Sequence, residues 1–240
     1  RHLLSLKDMD RSEHVEDLVH AGVSAFKIEG RLKDVAYVKN ITAHYRRTLD
    51  GLIGRRPELA RASSGTCTFS FEPDPEKTFH RGRTSFLLAG RDDGMASPDT
   101  PASIGEEIGR AVCTGTSWIM LDRGADRLVP GDGLCFLDRV RRLRGVQVTR
   151  IENKKVYVYG SVTDVAPGTP VHRNHDHAFL RALEGASSRR TCGVHLVFGE
   201  TPEGFFLKAT DEDGSSARSF LATPKIPARD PDPALCTLKR

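Results

Sequence analysis

Evenly spaced short strand patterns, separated by glycine turns, run through residues 104–171. Pro130-Gly131 and Pro167-Gly168 each suit the central positions of a type II turn, and Asn153-Lys154 suits a hairpin turn. A series of such strands leaves no unpaired edge strand when it closes into a barrel. The sequence therefore predicts a small closed β-barrel, with strands at 108–112, 118–121, 128–137, 146–151 and 156–159.

The first 55 residues follow a strand–helix–strand–helix order instead. Strands are predicted at 2–7 and 23–28. The first helix is expected to start at the capping pair Asp10 and Glu13, and the second near Asp34. This order is typical of parallel α/β folds.

Two strand–helix units do not make a fold by themselves. A (β/α) barrel of the TIM type needs eight of them. Residues 1–55 are therefore expected to be the last two βα units of an incomplete barrel, so that the chain would be a fragment lacking an N-terminal half-barrel.

The chain as a whole is expected to be an α+β multidomain protein. A polar, small-residue stretch at 54–65 predicts a boundary, and a Pro-, Gly- and Asp-rich connection follows it. After the barrel, a hairpin is predicted at 205–221, turning at residues 211–214. The predicted segments are the βαβα piece 1–55, the linker and extended loop 56–103, the barrel domain 104–185 and the start of a further, truncated β domain 186–240.

Both strands predicted in the opening segment end in charged residues. Because side chains alternate along a strand, Lys27 and Glu29 share one face, and Lys7 has the same place on the first strand. In a TIM-type barrel this face points inward at the carboxyl ends of the strands, where active sites lie. Either a catalytic site or a ring of salt bridges closing the rim accounts for the pattern. The candidate catalytic residues are Lys7, Asp8, Lys27, Glu29 and Arg31.

The net charge, 36 basic minus 32 acidic residues, is only +4, so a nucleic-acid site must be argued from local clustering. Basic residues gather around one barrel hairpin, and Tyr157 and Tyr159 lie on a strand face with Lys155. Arg and Lys neutralise phosphates and aromatic rings stack on bases, although a basic run also suits an ordinary solvated surface. The candidate RNA-binding residues are Arg139, Arg141, Arg142, Arg144, Arg150, Lys154 and Lys155.

No metal site is expected. His172, His175 and His177 do not have the spacing of a known metal motif, and Asp176 more simply caps a short helix at 178–184. The five cysteines, at 67, 113, 135, 192 and 236, have wide and irregular spacings, as reduced thiols of a cytoplasmic protein do. No apolar run is long enough for a membrane span, so no membrane partner is expected.

Several motifs together resemble the peptidase U-32 family, whose members are commonly named collagenase-like proteases. They are Ser5-Leu6-Lys7-Asp8, Phe26-Lys27-Ile28-Glu29-Gly30-Arg31, the stretch 67–82, Gly131-Asp132-Gly133-Leu134 and Arg173-Asn174-His175-Asp176. The chain looks most similar to the long bacterial branch that makes hydroxycytidine in large-subunit ribosomal RNA.

This resemblance implies an α/β barrel followed by β domains, with prephenate as the hydroxylation reagent and an iron–sulfur cluster. The cluster cysteines of the family precede the Ser5 motif, so no cofactor is expected within this chain. The barrel stretch also resembles, in pattern and turns, the β-barrel of translation elongation factors.

Three functions remain open on the sequence. The chain is the part of an RNA hydroxylase that binds ribosomal RNA or its precursor, inactive alone; or it is part of a peptidase acting on protein; or it is a non-catalytic interaction module. The peptidase alternative lacks a G-x-S-x-G or H-E-x-x-H motif.

Overall fold

The computed structural model describes residues 4–88, 90, 94–227 and 229. The chain divides into two compact units, one of Arg1–Ala60 with Thr68–Arg189 and one of Arg61–Cys67 with Arg190–Arg240. Within the described ranges, no helix has the length and apolar character needed to cross a membrane.

The N-terminal part of the first unit is mainly helical. Its elements are β1 (Asp8–Met9), α1 (Val15–His20), α2 (Val35–Arg55) and β3 (Arg83–Thr84), whereas β2 (Thr66–Phe69) has residues in both units. The predicted start of α2 is confirmed, because the Asp34 carboxylate accepts the Tyr37 N–H at 2.7 Å.

A closed six-stranded barrel follows, in the order β4-β5-β8-β7-β6-β9. Its strands are β4 (Glu106–Thr114), β5 (Trp118–Leu121), β6 (Gly133–Leu137), β7 (Leu143–Glu152), β8 (Lys155–Tyr159) and β9 (Pro170–His175). The inward positions carry a core of aliphatic side chains that includes Ile119, Leu121 and Val156. The predicted closed barrel is confirmed.

The turns of the barrel have the predicted chemistry. Gly131 and Gly168 adopt φ angles of 99° and 82°, which glycine reaches without a Cβ clash. The Asp132 N–H donates to the Val129 carbonyl at 3.1 Å, closing the first of these turns. Asn153 adopts the left-handed conformation between β7 and β8, as a hairpin turn requires.

Helix α3 (His177–Leu183) follows the barrel, and β10 (Ser188–Thr191) pairs with β2. The second unit contains the antiparallel sheet β11 (Val194–Thr201), β12 (Gly204–Asp211) and β13 (Ser216–Ala222). The predicted hairpin is confirmed, with the Gly214 N–H donating to the Asp211 carbonyl at 3.1 Å. Cys236 lies outside the described residues.

The strands predicted at 2–7 and 23–28 do not form with these bounds. Residues 1–3 lie outside the described ranges, Leu6 makes an isolated bridge to Ala96, and β1 pairs in parallel with β3. Residues 23–28 form no strand, because a strand needs a hydrogen-bonded neighbour and none of the described segments runs beside them. The remnant of a TIM-type barrel is therefore not confirmed.

The capping pair predicted at Asp10 and Glu13 is also wrong. Asp10 accepts hydrogen bonds from the Ser12 N–H and the Tyr45 hydroxyl, both at 2.9 Å, and no side-chain cap forms at the start of α1. Tyr45 belongs to α2, so Asp10 makes a tertiary contact in place of the predicted capping pair with Glu13.

Candidate nucleic-acid interface

Asp8 is held by cations from two distant segments. Its carboxylate accepts the Arg81 N–H at 2.8 Å and the Arg81 guanidinium at 3.4 Å, and Lys33 Nζ lies 3.5 Å away. Burial raises the pKa of Asp8, but the hydrogen bonds from Arg81 and the charge of Lys33 outweigh it, so the net pKa is lowered. Asp8 is therefore an ionised anchor for the 81–83 segment.

Asp10 has the same role two residues further along the chain. Arg83 donates to its carboxylate at 2.7 Å, and the Tyr45 hydroxyl that also donates to it in turn accepts the Arg11 N–H at 2.9 Å. Burial opposes ionisation of Asp10, yet its hydrogen bonds from Ser12 and Tyr45 and the charge of Arg83 lower its pKa overall. Burial, in turn, raises the pKa of Tyr45 to about 12.

His80 is buried beneath this cluster as a neutral ring. The Gly82 N–H donates to Nδ1 at 3.2 Å, so Nε2 carries the proton and lies 3.2 Å from the Glu76 carbonyl oxygen. Burial lowers the pKa of His80, with Glu76 acting in the opposite direction. His80 therefore fixes the 76–82 turn that carries Arg81.

The other predicted catalytic residues stand apart from this cluster. Lys27 and Glu29 pair with each other at 2.9 Å while 86% and 71% of their side-chain surfaces stay exposed, and the hydrogen bond and charge of Glu29 raise the pKa of Lys27. Arg31 is exposed as well. The structure thus brings Asp8 together with Lys33, Arg81 and the neighbouring Lys7, but leaves Lys27, Glu29 and Arg31 at the surface.

The loop and turn of the basic hairpin present several unpaired cations. Arg139, Arg142, Arg144 and Lys154 are exposed and have no acidic partner within the described residues. Arg141 instead donates through Nε to Asp99 at 3.1 Å, and Arg150 pairs with Glu152 at 2.9 Å. The first four are therefore available for an external anion.

Aromatic rings lie on the outer face of the barrel where β5, β7 and β8 pair. Trp118 pairs across strands with Tyr157, and Tyr157 with Arg150. Lys155 Nζ lies 4.3 Å from the centroid of the Trp118 ring, and the Arg150 guanidinium lies 4.2 Å from that of Tyr157. Tyr159 is 79% exposed, so the predicted sharing of a strand face by Lys155, Tyr157 and Tyr159 describes an accessible surface.

Sequence reasoning missed Trp118, the single tryptophan of the chain. The signal was present, because strand alternation places Trp118 opposite the buried Ile119 and Leu121. It also missed the pairing of Asp8 with Arg81, which joins residues 73 positions apart.

Two of the recognised motifs meet in a buried ion network. Arg173 donates to Glu106 and Asp176 at 2.9 Å each and to the Arg127 carbonyl at 3.0 Å, and it lies 3.5 Å from Asp132. Asp176 also accepts the Phe179 N–H at 2.9 Å, which confirms its predicted capping of the helix. The motif residues Asp132, Arg173 and Asp176 thus join the barrel to α3.

The described residues offer no ligand set for an iron–sulfur cluster. No group of three His, Cys, Asp or Glu side chains in these ranges could hold a metal ion, and the four described cysteines are free. Burial raises the pKa of Cys135 to about 12, which makes it a poor thiolate ligand. The residues in these ranges therefore do not fit such a cluster.

Comparison with known proteins agrees with the motifs. Residues 1–97 match the model of Peptidase family U32. The chain is 37% identical over 247 residues to the 23S rRNA 5-hydroxycytidine C2501 synthase of Escherichia coli (strain K12), an alignment covering 100% of this chain and 38% of that protein. The chain thus spans well under half the length of this relative. No solved structure matches this chain.

Proposed function

We propose that this chain, whose residues 1–97 match the model of peptidase family U32, is the RNA-binding portion of an RNA cytidine hydroxylase and is inactive when alone. Its partner is ribosomal RNA or its precursor. The observation that carries the proposal is the barrel surface, which presents both unpaired cations and aromatic rings, in a chain similar along its whole length to an rRNA-modifying enzyme.

Electrostatics and stacking support RNA as the ligand of this surface. Each phosphate that is neutralised releases a counterion, so exposed arginines without acidic partners give affinity to any RNA. Trp118, Tyr157 and Tyr159 add ring faces and edges for unpaired bases. A protein substrate requires neither feature.

The remaining candidate residues belong to the same proposal. Large apolar side chains, among them Leu4, Leu32, Val35 and Val38, are exposed on the N-terminal segment that carries Lys27, Glu29 and Arg31. Apolar surface of this extent is usually covered by a partner. We propose that this segment completes a (β/α) barrel of a longer protein, where its charges help to position an anionic cosubstrate such as prephenate.

The RNA-binding role is tested with Arg139→Ser, Arg142→Ser and Arg144→Ser combined. Binding to a fragment of 23S ribosomal RNA should weaken, and the slope of log affinity against log salt should become shallower by about 2 to 3, because three phosphate contacts are lost. Filter binding at several salt concentrations measures both quantities.

A matched control removes three cations elsewhere in the first unit, Arg55, Arg56 and Arg110, all of which face carboxylates. The control should keep the wild-type slope. Equal slopes for the wild type and the hairpin variant would contradict the proposal.

The peptidase alternative has the family name in its favour, and it predicts cleavage of casein or gelatin. Our proposal predicts none. The buried Cys135, whose raised pKa keeps its thiol protonated, is the opposite of an activated nucleophile.

A further inference from the structure

A cavity of about 370 Å³ lies in the first unit, between the N-terminal segment and the barrel. Ile104, Phe136, Leu143 and Pro170 form part of an apolar wall. This volume falls in the range of small-ligand sites and exceeds the needs of a single nucleobase. An apolar wall of this kind favours a flat, weakly solvated ring.

The polar lining of the cavity includes one cation without an acidic partner. Lys7 lines it and makes no ion pair within the described residues. The stem of this side chain packs over Gly82, where an added Cβ would lie 3.4 Å from Lys7 Cδ. The His172 side chain also lines the cavity.

The other charged residues at the cavity are already engaged. Arg81 is bound to Asp8, and Asp99 to Arg141. Lys7 is thus the cation left at this cavity for an incoming anion.

A second cavity, of about 520 Å³, adjoins the first. The two share Pro98, Asp99, Thr100 and Leu143, and the second is also lined by Arg142. Lys7 therefore lines one of two adjoining cavities and Arg142 lines the other, and we call the pair the groove. A ligand that meets both cations carries more than one anionic group.

We propose that this groove binds a single-stranded stretch of RNA, with one unstacked base in the Lys7–His172 cavity and its flanking phosphates on Lys7 and Arg142. The inference rests on the proposed function and deepens it, because it assigns the cavity to a nucleotide and connects the predicted rim residue Lys7 to the RNA surface. In this arrangement the apolar wall packs against the faces of the base and excludes water from them, and the His172 side chain lies beside the base.

The test uses a short single-stranded RNA carrying 5-iodouridine, irradiated in complex with the chain. Mass spectrometry of the digest should find adducts in peptides containing Phe136 or His172. Ala96→Phe, placed on the cavity lining, should reduce these adducts about tenfold while RNA still binds through the hairpin.

Lys7→Met supplies a second variant that does not depend on cavity filling, with Lys154→Met as its matched control. Both should make the salt slope shallower by about 0.7, since each removes one phosphate contact. Only Lys7→Met should reduce adducts at Phe136 and His172. RNA that binds and crosslinks only to Trp118, Tyr157 or other residues outside the cavity would overturn this inference and leave the proposed function intact, whereas absence of binding would overturn both.

Discussion

At the scale of single residues, long-range contacts decide the state of the charged groups. Asp8, Asp10 and His80 are all partly or fully buried, yet the aspartates have lowered pKa values because cations and N–H groups face them. His80 has a lowered pKa because its burial disfavours the charged ring more than Glu76 favours it. The cluster therefore holds ionised aspartates around a neutral histidine.

This arrangement makes stability depend on pH. The pKa of His80 in the folded state lies below its ordinary value of 6.5, so the unfolded state binds more protons below pH 6.5. The free energy of unfolding should reach its full value above pH 6.5 and should decrease as pH falls from there toward the folded-state pKa of His80. Urea unfolding of the first unit from pH 7.5 to 5 measures this trend.

Two variants isolate the contribution of His80. His80→Gln should reduce the decrease, because the neutral amide does not titrate. Glu76→Gln should extend the decrease to lower pH, since the carboxylate that favours protonated His80 is gone. An unchanged trend in both variants would show that another group controls it.

The residue scale also shows where local sequence is a sufficient guide. Asp176 is predicted as a helix cap and Asp34 as the start of a helix, and both cap their helices because the N–H groups they accept lie three positions ahead. Asp10 matched the same local pattern and failed, because Tyr45 and Arg83 compete for its oxygens from distant segments. Local partners can be predicted from spacing, whereas tertiary competitors cannot.

At the scale of elements, the hairpins follow from the sequence and the isolated strands do not. The β7–β8 hairpin was predicted because its alternation and its turn at Asn153 lie in one short stretch. Residues 23–28 also have the pattern of a strand, but a strand forms only where a neighbouring segment pairs with it. The pairing of β1 with β3 could not be predicted for the same reason, since their sequences hold only two residues each.

The junction of β9 with α3 depends on Arg173. This guanidinium is buried and shared by Glu106 and Asp176, with Asp132 nearby, so Arg173→Leu removes the cation common to all three and leaves Lys77 beside Asp176 and Arg127 beside Glu106. Removing one partner of such a network costs about 3–5 kcal/mol. Urea unfolding should report a loss of free energy in this range.

Arg181→Leu is the matched control, because Arg181 lies exposed on the same helix α3. It should change the free energy of unfolding by less than about 0.5 kcal/mol. Similar effects of the two substitutions would contradict a structural role for the network. The motif residues Arg173 and Asp132 therefore have a structural role at this junction.

At the scale of the whole molecule, Lys7 and the basic hairpin line adjoining cavities of the first unit. The RNA-binding hairpin was predicted from a cluster of basic residues in sequence, and the structure separates its free cations from those paired with Asp99 and Glu152. The cavity between Lys7 and His172 was not predictable, because its lining comes from five separate segments. Sequence patterns therefore predicted the basic surface of the hairpin but not the cavity between Lys7 and His172.

The central claim is that this chain supplies RNA recognition to a cytidine hydroxylase. The most direct measurement grafts it onto the E. coli synthase in place of the 38% of that protein it aligns with, in cells lacking the native synthase, and quantifies 5-hydroxycytidine in 23S ribosomal RNA by mass spectrometry. The account predicts that the wild-type graft restores the modification and that the Arg139, Arg142 and Arg144 serine variant restores several-fold less. Equal modification by both grafts, at matched protein levels, would contradict it.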